Sequence, residues 1–437
     1  MRKYVMSAAL FLVLGVTACK QEKSAPLDKV DLIINNEDQL TQIIIYDVFT
    51  PPVASRIYVY SSIAAYEAIR HAQKDAPSIA AKLNGFDKMP EPDANKKYDF
   101  DLAASVAFFK VARNVKVFSV DSLTNYENSV HENFKQHLDE ATYKASVAFG
   151  DTIASVVLKR AKTDGYAASR GKSKFLGSNE PGKWRPTPPD YLDGVEWCWN
   201  TMKTMVLDSA SQFKPSLPPA YNATPGSTFH TMVKEVYDIN KNLTDEQKLI
   251  AKYWDDNPFV IEHSGHMIFG NKKITPGGHW MGIAAQIIKQ EKADHVKAAQ
   301  TFALTSIALY DGFISCWDEK YRSNYVRPVT VIKDMIDKDW MPFLQTPPFP
   351  EYTSGHSTIT ASAATVLTKL YRDNLAFEDS SDYQYIGLKR KFNSLHEAAA
   401  ECSMSRVYGG IHYVTSVNTG AAMGKQVGGL VVKKILE

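Results

Sequence analysis

The chain has 437 residues, of which 44% are hydrophobic, 11% aromatic and 22% charged. This balance is typical of a folded globular protein and excludes a disordered or fibrous chain. Fifty Lys and Arg residues stand against 48 Asp and Glu residues, which gives a formal charge of +2. So small a surplus argues against a nucleic-acid partner, because such proteins carry clustered basic surfaces. Beyond the N-terminus no apolar run reaches the roughly 18 to 20 residues that span a bilayer, which excludes a polytopic membrane protein.

The N-terminal segment has the features of an export signal. Two basic residues precede an almost unbroken apolar stretch up to Val16, and small residues then lead to Cys19. This order resembles the cleavage box of bacterial lipoproteins. It implies a signal peptide over residues 1–18 and a lipidated tether over residues 19–27, with diacylglycerol on the Cys19 sulfur. The protein would then be exported and anchored by its lipid to the cell envelope, at the periplasmic or outer-membrane face; an ordinary secretory signal is the alternative.

Three cysteines remain after the tether, at Cys198, Cys316 and Cys402. Their spacing is not that of a metal site, and three cysteines cannot all pair. One disulfide is possible, but buried free thiols are favoured.

Helical periodicity is common along the chain, and strand patterns are scarce. The first predicted helices lie at about 39–48, 54–72, 102–118, 123–138 and 141–162. A stretch rich in Pro, Gly and Ser then interrupts the pattern from about residue 165 to 221. Its aromatic residues, Tyr191, Trp197 and Trp199, predict that this stretch packs on the body of the protein.

Helices resume at Thr244, where Thr-Asp-Glu-Gln fits a capping box. The later predicted helices lie at about 279–291, 294–320, 328–337, 357–371, 383–408 and 415–436. In the helix at 294–320, apolar residues recur every three or four positions up to Trp317, and Lys320 lies on the same face. The predicted fold class is all-α, with one helical-bundle domain over residues 28–437.

The first of three chemically notable segments lies at a helix boundary. Lys320 ends the long helix, six residues follow, and Arg327 then precedes Pro328. Proline suits the first turn of a helix, so Arg327 is placed beside free backbone donors. By itself such a pair most often indicates a solvated helix cap.

The second segment is a Pro-rich turn that leads into Ser354, Gly355 and His356 at a helix start. Glycine lets an anion approach the backbone closely, and a helix N-terminus attracts negative charge. Ser354 adds a hydroxyl donor, and His356 can give or take a proton near neutral pH.

The third segment places Arg406 at the end of one helix and His412 just before the next, with two glycines between them. Each segment alone could be an ordinary helix cap. Jointly they supply three permanent cations, two histidines, a hydroxyl and a helix N-terminus. Such a set suits a tetrahedral oxyanion, since Arg forks match paired oxygens and Lys acts as a point charge.

In order and spacing (Lys-x6-Arg-Pro, Ser-Gly-His, Ser-Arg-x5-His), the three segments resemble the superfamily of vanadium-dependent haloperoxidases and type 2 phosphatidic acid phosphatases. The resemblance implies an all-α fold whose anion site, built here from about residues 244–437, lies in a four-helix bundle. The residues that it implies for the equatorial oxygens of vanadate, or of phosphate in its place, are Lys320, Arg327, Ser354, Gly355 and Arg406. His412 would be the axial ligand of vanadium or the nucleophile of a phosphatase, and His356 the acid–base residue.

Two further features lie outside this pattern. A second Ser-Gly-His, at Ser264 to His266, comes before Lys320 and therefore in the wrong order, although His266 or His279 could line the pocket. In the family an acidic residue also braces the second Arg, and Asp255 and Asp256 are the candidates here.

One position separates the two branches of the superfamily. The phosphatases carry an Asp four residues after the nucleophilic His, where it accepts the imidazole proton. Here that position is Ser416, a neutral hydroxyl that offers less support. Residues 181–189, 316–320 and 349–356 also resemble the haloperoxidases. The resemblance therefore favours a vanadate-dependent haloperoxidase, an oxidoreductase that oxidises halide with hydrogen peroxide.

The same resemblance predicts that Trp317 and Phe349 line the halide pocket. Phe349 stands where some bromide-oxidising relatives carry a second His, so iodide is favoured and bromide remains possible. Lys320 would polarise the peroxide, and His356 would assist proton transfer. Two alternatives stay open: a phosphatase that acts on small phosphomonoesters through a phosphohistidine at His412, and a non-catalytic oxyanion-binding lipoprotein.

Overall fold

A computed structural model of the chain describes residues 23–115, 117–258 and 272–437, together with the backbone of two short strands between the last two ranges. The predicted lipidation site, Cys19, and the predicted signal peptide lie outside the described residues. Among the described helices, none is both long enough and apolar enough to cross a bilayer.

The regular secondary structure of the described residues is almost entirely α-helical, which confirms the predicted fold class. The helices of the first part are α1 (Lys29–Tyr46), α2 (Pro51–Ile69), α3 (Phe100–Asn114), α4 (Val120–His137), α5 (Glu140–Ala161), α6 (Tyr166–Arg170) and α7 (Thr228–Lys241). The helices of the second part are α8 (Asp245–Tyr253), α9 (Pro276–Gln290), α10 (His295–Ser323), α11 (Pro328–Met335), α12 (Gly355–Leu370), α13 (Tyr383–Ile386), α14 (Leu395–Tyr408) and α15 (Val414–Ile435). Two antiparallel hairpins pair β1 (Ile261–Ser264) with β2 (Met267–Gly270) and β3 (Phe377–Asp379) with β4 (Arg390–Phe392).

Most helix starts follow from local cap chemistry. Asp28 accepts hydrogen bonds from the backbone N–H groups of Val30 and Asp31, and α1 begins at Lys29, ten residues before its predicted start. At α8 the predicted capping box is present, with Thr244 and Gln247 each bonded to the other's backbone. Asp294 caps α10, and Pro328 occupies the first turn of α11.

The single helix predicted over residues 383–408 is wrong. Gly387 adopts a left-handed backbone conformation (φ 69°) and ends α13 after one turn. The following residues form β4, which pairs with β3 across a loop, and Ser394 then caps α14. Helix α7 was not predicted at all, because it follows a Pro-rich stretch and buries only four of its side chains: Phe229, Met232, Val233 and Val236.

Helix α10 lies at the centre of the main apolar core, which extends from α1 to α15. Nearly all of its side chains are buried, including the stripe that ends at Trp317 and Lys320. It packs against α2, α9 and α12, so Lys320 reaches a position surrounded by protein. Because α10 runs through the core, the Lys320 ammonium group at its end lies in the interior of the protein.

Helices α12 and α15 approach unusually closely. Three glycines of α15, spaced four residues apart, face backbone carbonyl oxygens of α12: Gly420, Gly424 and Gly428. A Cβ atom added at Gly424 would lie 2.0 Å from the Thr358 carbonyl oxygen. Close packing of α15 therefore fixes the N-terminal end of α12, where Ser354 and Gly355 lie.

The Pro-rich middle of the chain packs on this body, as predicted. Asp311 of α10 accepts hydrogen bonds from the backbone N–H groups of three consecutive residues, Met205, Val206 and Leu207, at 2.7 to 3.0 Å. Trp199 is fully buried, whereas Tyr191 is 64% exposed, so the prediction of packing is wrong for that side chain.

The three cysteines of the described chain, Cys198, Cys316 and Cys402, are free and buried. This confirms the preference for thiols over a disulfide.

Candidate functional site

The N-terminus of α12 forms the floor of the site. Ser354 is its N-cap, and the Ser354 hydroxyl oxygen accepts hydrogen bonds from the Ser357 backbone N–H and the Ser357 hydroxyl. A Cβ atom added at Gly355 would touch the Trp317 ring at 3.5 Å and Lys320 Cε at 3.9 Å. The glycine thus leaves the first turn of the helix open toward the Lys320 side chain.

Lys320 enters the site from the end of α10. Its side chain is fully buried, and Nζ donates hydrogen bonds to the carbonyl oxygens of Pro350 (2.9 Å) and Glu351 (3.0 Å). An ammonium group has three N–H donors, so one remains for a guest. Burial lowers the pKa of Lys320 to about 7, and nearby Arg327 acts in the same direction.

Arg327 precedes α11 and is also fully buried. Nε donates to the Phe349 carbonyl oxygen (2.9 Å) and Nη1 to the Ile411 carbonyl oxygen (2.7 Å), whereas Nη2 has no hydrogen-bond partner. Burial lowers the pKa of Arg327 to about 10, so the guanidinium is still charged at neutral pH.

Arg406, in the last turn of α14, completes the set of cations. Its Nη1 donates to the carbonyl oxygens of Trp254 (2.6 Å) and Asp255 (3.3 Å), and Nη2 lies 3.9 Å from the Asp255 carboxylate. Nε and Nη2 are buried and have no hydrogen-bond partner. Of the two acidic residues predicted to brace an Arg, Asp255 lies beside Arg406, whereas Asp256 binds His279.

His412 faces Arg327 on one side and Glu351 on the other. Its Nε2 lies 3.1 Å from Arg327 Nη1, and its Nδ1 lies 2.7 Å from Glu351 Oε1. Arginine can only donate, so Nε2 must accept, and the ring proton therefore sits on Nδ1 and is donated to Glu351. Burial and the nearby Arg327 hold the pKa of His412 well below its usual value, so the ring is neutral.

Glu351 is the functional residue that the sequence did not reveal. Its carboxyl group is fully buried, and Oε1 accepts from both His412 Nδ1 and the Tyr413 backbone N–H (3.1 Å). Burial raises the pKa of Glu351 to about 7, and a proton on this carboxyl would sit on the unpartnered Oε2. The expectation that Ser416 leaves His412 without a carboxylate partner is therefore wrong. The signal was available in the run before Ser-Gly-His, where Glu351 is an acidic residue between two aromatic residues and prolines.

A small pocket opens onto these groups. Trp317 and Phe349 stand in its wall with their ring centres 5.1 Å apart, and His356 faces it with an unpartnered, buried Nε2. Burial, reinforced by Arg406, holds the pKa of His356 well below its usual value. The pocket thus combines an aromatic wall with a neutral imidazole at its base.

The structure brings the candidate residues of all three segments together around one cup. Arg406 and His412 line the pocket together with Gly355 and His356, and Arg327 lies directly behind His412. Buried donors left without partners on Arg327 and Arg406 point to a bound oxyanion, because buried polar groups are otherwise satisfied. The residues present therefore fit a tetrahedral oxyanion.

The second Ser-Gly-His is only partly described. Ser264 ends β1, and Gly265 and His266 lie outside the described residues. His279 is fully buried between Asp256 and Asp379 and is not among the described residues that line the pocket.

Known proteins share this architecture. The family model described as the VCPO second helical-bundle domain matches residues 300–437, which contain all three motif segments. A crystal structure described as the first bacterial vanadium-dependent iodoperoxidase is 41% identical, with a TM-score of 0.88 over 94% of this chain and 98% of that chain. Comparison with the curated protein sequences finds no match.

Two structures of a bacterial vanadium-dependent chloroperoxidase are more distant. The apo form is 18% identical, with a TM-score of 0.68 over 88% of this chain and 93% of that chain. The holo form is also 18% identical, with a TM-score of 0.66 over 89% of this chain and 93% of that chain. At this identity the likeness shows the shared fold.

Proposed function

Because this chain belongs to the vanadium-dependent haloperoxidases, we propose that its cationic cup holds vanadate and that the enzyme oxidises iodide with hydrogen peroxide. The observation that carries the proposal is the set of buried, unpartnered donors on Arg327 and Arg406 near the neutral ring of His412. The overall reaction consumes one hydrogen peroxide, one iodide and one proton, and yields hypoiodous acid and water.

Each residue of the cup has a task that follows from its contacts. Arg327 and Arg406 would hold oxygens of the anion with their free N–H groups, and Gly355 would admit it to the N-terminus of α12. His412 would offer the lone pair of Nε2 to the vanadium atom in place of its contact with Arg327 Nη1, because the ring proton is held on Nδ1 by Glu351. Bound vanadate would supply a Lewis acid that activates hydrogen peroxide without changing its own oxidation state.

Two further residues would handle protons and charge. His356 is neutral and its Nε2 is free, so it can take a proton from hydrogen peroxide that enters the pocket and later return it. Lys320 has one N–H donor left after its two carbonyl contacts. An anion in the cup would favour the charged form of Lys320, which would then polarise a neighbouring oxygen.

The aromatic wall supports iodide as the halide. Iodide is the largest and most weakly hydrated of the common halides, so it loses least on entering a pocket lined by Trp317 and Phe349. The similar protein at 41% identity is an iodoperoxidase by description. Bromide would be a slower substrate, because the aromatic wall offers few donors to replace its stronger hydration.

Iodide oxidation and phosphate-ester hydrolysis by one preparation test the proposal. The Glu351–His412 pair also resembles the carboxylate–imidazole pair of a phosphohistidine mechanism, which keeps a phosphatase as the second candidate. We expect triiodide formation from iodide and hydrogen peroxide only after vanadate is added, with little hydrolysis of an aryl phosphate. Hydrolysis without vanadate and without halide turnover would instead favour the phosphatase, and phosphate binding with neither activity would favour a binding protein.

The His412→Ala variant should lose vanadate-dependent iodide oxidation, by about three orders of magnitude or more, because no other described ring nitrogen reaches this position. The matched control is Ser264→Ala, which alters the second Ser-Gly-His and should leave turnover within about twofold of the wild type. An inactive Ser264→Ala variant, with circular dichroism unchanged, would mean that the wrong Ser-Gly-His has been assigned to the site.

We further propose that the protein is a lipoprotein of the cell envelope, anchored through Cys19. The support is the sequence before Cys19 and the path of the chain after it. Ser24 donates hydrogen bonds to Gln136, and its carbonyl oxygen contacts His137, so the described chain begins on the surface of α4. Labelling with a radioactive fatty acid should mark the wild type and not the Cys19→Ala variant; equal labelling would contradict the anchor.

A further inference from the structure

A second cluster of ionisable side chains surrounds His279 of α9 and adjoins the pocket through Asp256, which also lines it. The ring is fully buried, and its Nδ1 lies 3.1 Å from both carboxylate oxygens of Asp256. Its Nε2 lies 2.8 Å from Asp379 Oδ2, and the Trp254 ring stacks on the imidazole at 4.6 Å. Both ring nitrogens therefore face carboxylates in an interior without solvent.

A third carboxylate in the cluster has one oxygen without a hydrogen-bond partner. Asp382, which precedes α13, is 5% exposed, and its Oδ1 is buried without a hydrogen-bond partner. The nearby Lys273 is bonded to Asp255 instead (2.5 Å). One imidazolium cannot balance three carboxylates, so the cluster holds more negative charge than its own residues neutralise.

We propose that Asp256, His279 and Asp382 bind a divalent transition-metal ion, Zn²⁺ or Mn²⁺. One ligand atom from each of the three lies within 4.8 Å of the others. An ion about 2.0 to 2.2 Å from each ligand atom needs ligand separations of at most roughly 4 Å. Side-chain movements of less than about 1 Å would therefore close the site.

The surroundings of His279 are those of a metal-binding histidine. A ligating imidazole donates its other N–H to a carboxylate or carbonyl, which leaves the lone pair toward the ion. Asp379 is placed for this role, because its remaining oxygen is occupied by the Ser381 backbone N–H (2.9 Å). One nitrogen and two carboxylates suit Zn²⁺ or Mn²⁺, whereas Ca²⁺ and Mg²⁺ prefer oxygen ligands alone.

The metal would join three separate parts of the chain behind the anion cup. Asp256 follows α8, His279 lies on α9 and Asp382 lies in the β3–β4 hairpin. Asp255, next to Asp256, gives its carbonyl oxygen to Arg406. A bound ion would thus brace the backbone that positions one cation of the cup. The proposal does not depend on which reaction the cup performs.

Metal binding by the full chain, purified without an affinity tag, tests the proposal. After dialysis against a chelator, the protein is dialysed against Zn²⁺ or Mn²⁺ and its metal content measured by mass spectrometry. We expect one ion per chain and a higher melting temperature than for the stripped protein. Bound Mn²⁺ should show magnetic coupling to one imidazole nitrogen in pulsed electron paramagnetic resonance. A protein that binds no stoichiometric ion, or one whose Mn²⁺ has oxygen ligands only, would overturn the proposal.

The Asp382→Asn variant should bind the ion at least about 100-fold more weakly than the wild type. Glu378→Gln is the matched control, since Glu378 is a half-exposed carboxylate of the same hairpin that bonds to surface lysines. Equal affinity of Asp382→Asn and the wild type would show that the ion lies elsewhere, and the proposal would fail. If circular dichroism shows that Asp382→Asn does not fold, the proposal is tested by the wild type alone: bound Mn²⁺ must show magnetic coupling to one imidazole nitrogen.

Discussion

At the scale of single residues, the cup keeps its positive charge available for a guest. Lys320, Arg327 and Arg406 are all oriented by backbone carbonyl oxygens. The Glu351 carboxyl group acts on Lys320 and Arg327 at a distance, and the Asp255 carboxylate lies 3.9 Å from Arg406 Nη2. Carbonyl groups fix the direction of a cation without cancelling its charge. Burial without a counter-ion is costly, so a bound oxyanion should stabilise the folded protein as well as complete the site.

Replacing Glu351 with leucine should weaken vanadate binding by about 10- to 100-fold, because His412 Nδ1–H loses its acceptor and the ring loses its orientation. Glu351→Gln should weaken it less, since an amide oxygen can accept the same two hydrogen bonds without a negative charge. Equilibrium dialysis over a range of vanadate concentrations measures the affinity of both variants. Ser416→Ala is the control and should bind within about threefold of the wild type. A Glu351→Leu variant with wild-type affinity would contradict the role given to this carboxylate.

The sequence predicted the residues of the cup but not the carboxylate that orients His412. Each of the three motif segments is a local helix boundary, so its residue types and spacing suffice to suggest an anion site. The bond between Glu351 and His412 joins residues 61 positions apart, so the turn before Ser-Gly-His shows an acidic residue but does not indicate that His412 is its partner. The carboxylate comes from the turn before α12 and not from position 416, where the phosphatases carry their Asp and this chain has a serine.

At the scale of the elements, the packing of α15 on α12 sets the position of the oxyanion floor. The helix boundaries of both were close to prediction, because caps and periodicity are local properties. The break of the predicted helix at 383–408 was not foreseen, because strand pairing between β3 and β4 is a tertiary contact. The glycine spacing of α15 likewise does not predict close packing by itself, because the contact depends on the carbonyl groups of α12.

Gly424→Ala should destabilise the protein by about 2–3 kcal/mol, because the new methyl group would collide with the Thr358 carbonyl oxygen. It should also weaken vanadate binding, since the start of α12 would shift. Gly429→Ala, on the same helix with nothing within 4 Å, is the control. It should be neutral or stabilise by up to about 1 kcal/mol, since alanine favours helix. Urea unfolding measures both variants, and equal stabilities would contradict the close approach of the helices.

At the scale of the whole molecule, one carboxyl group in the main core links stability to pH. Glu37 of α1 is fully buried, and burial raises its pKa to about 8. Ser62 Oγ lies 2.5 Å from Glu37 Oε1 and 2.8 Å from the Tyr58 carbonyl oxygen, although a hydroxyl has a single proton. A protonated Glu37 that donates to Ser62 satisfies both contacts. The folded protein therefore holds this proton where the unfolded chain would release it.

The free energy of unfolding should consequently fall by a few kcal/mol between about pH 5 and pH 8, because the folded state binds a proton that the unfolded state lacks. Glu37→Gln keeps a neutral side chain at every pH, so its stability relative to the wild type should rise across this interval and level off above it. Urea unfolding at pH 5, 7 and 9 measures the difference. Asp38→Asn, a change at the exposed neighbour, should show no such trend. If the difference in unfolding free energy between Glu37→Gln and the wild type does not change with pH, Glu37 is not the group that takes up the proton.

Phe349 serves the cup twice, through two chemically separate parts. Its carbonyl oxygen orients Arg327, and its ring stands in the pocket wall. Any residue at this position keeps the carbonyl group, but the ring also lies over the Arg327 guanidinium (5.1 Å) and over Lys320 Nζ (5.0 Å). A change of this side chain would therefore alter the pocket wall and the surroundings of two cations together, while the carbonyl contact to Arg327 remains. Position 349 is accordingly the first place to diversify in a search for altered halogenation.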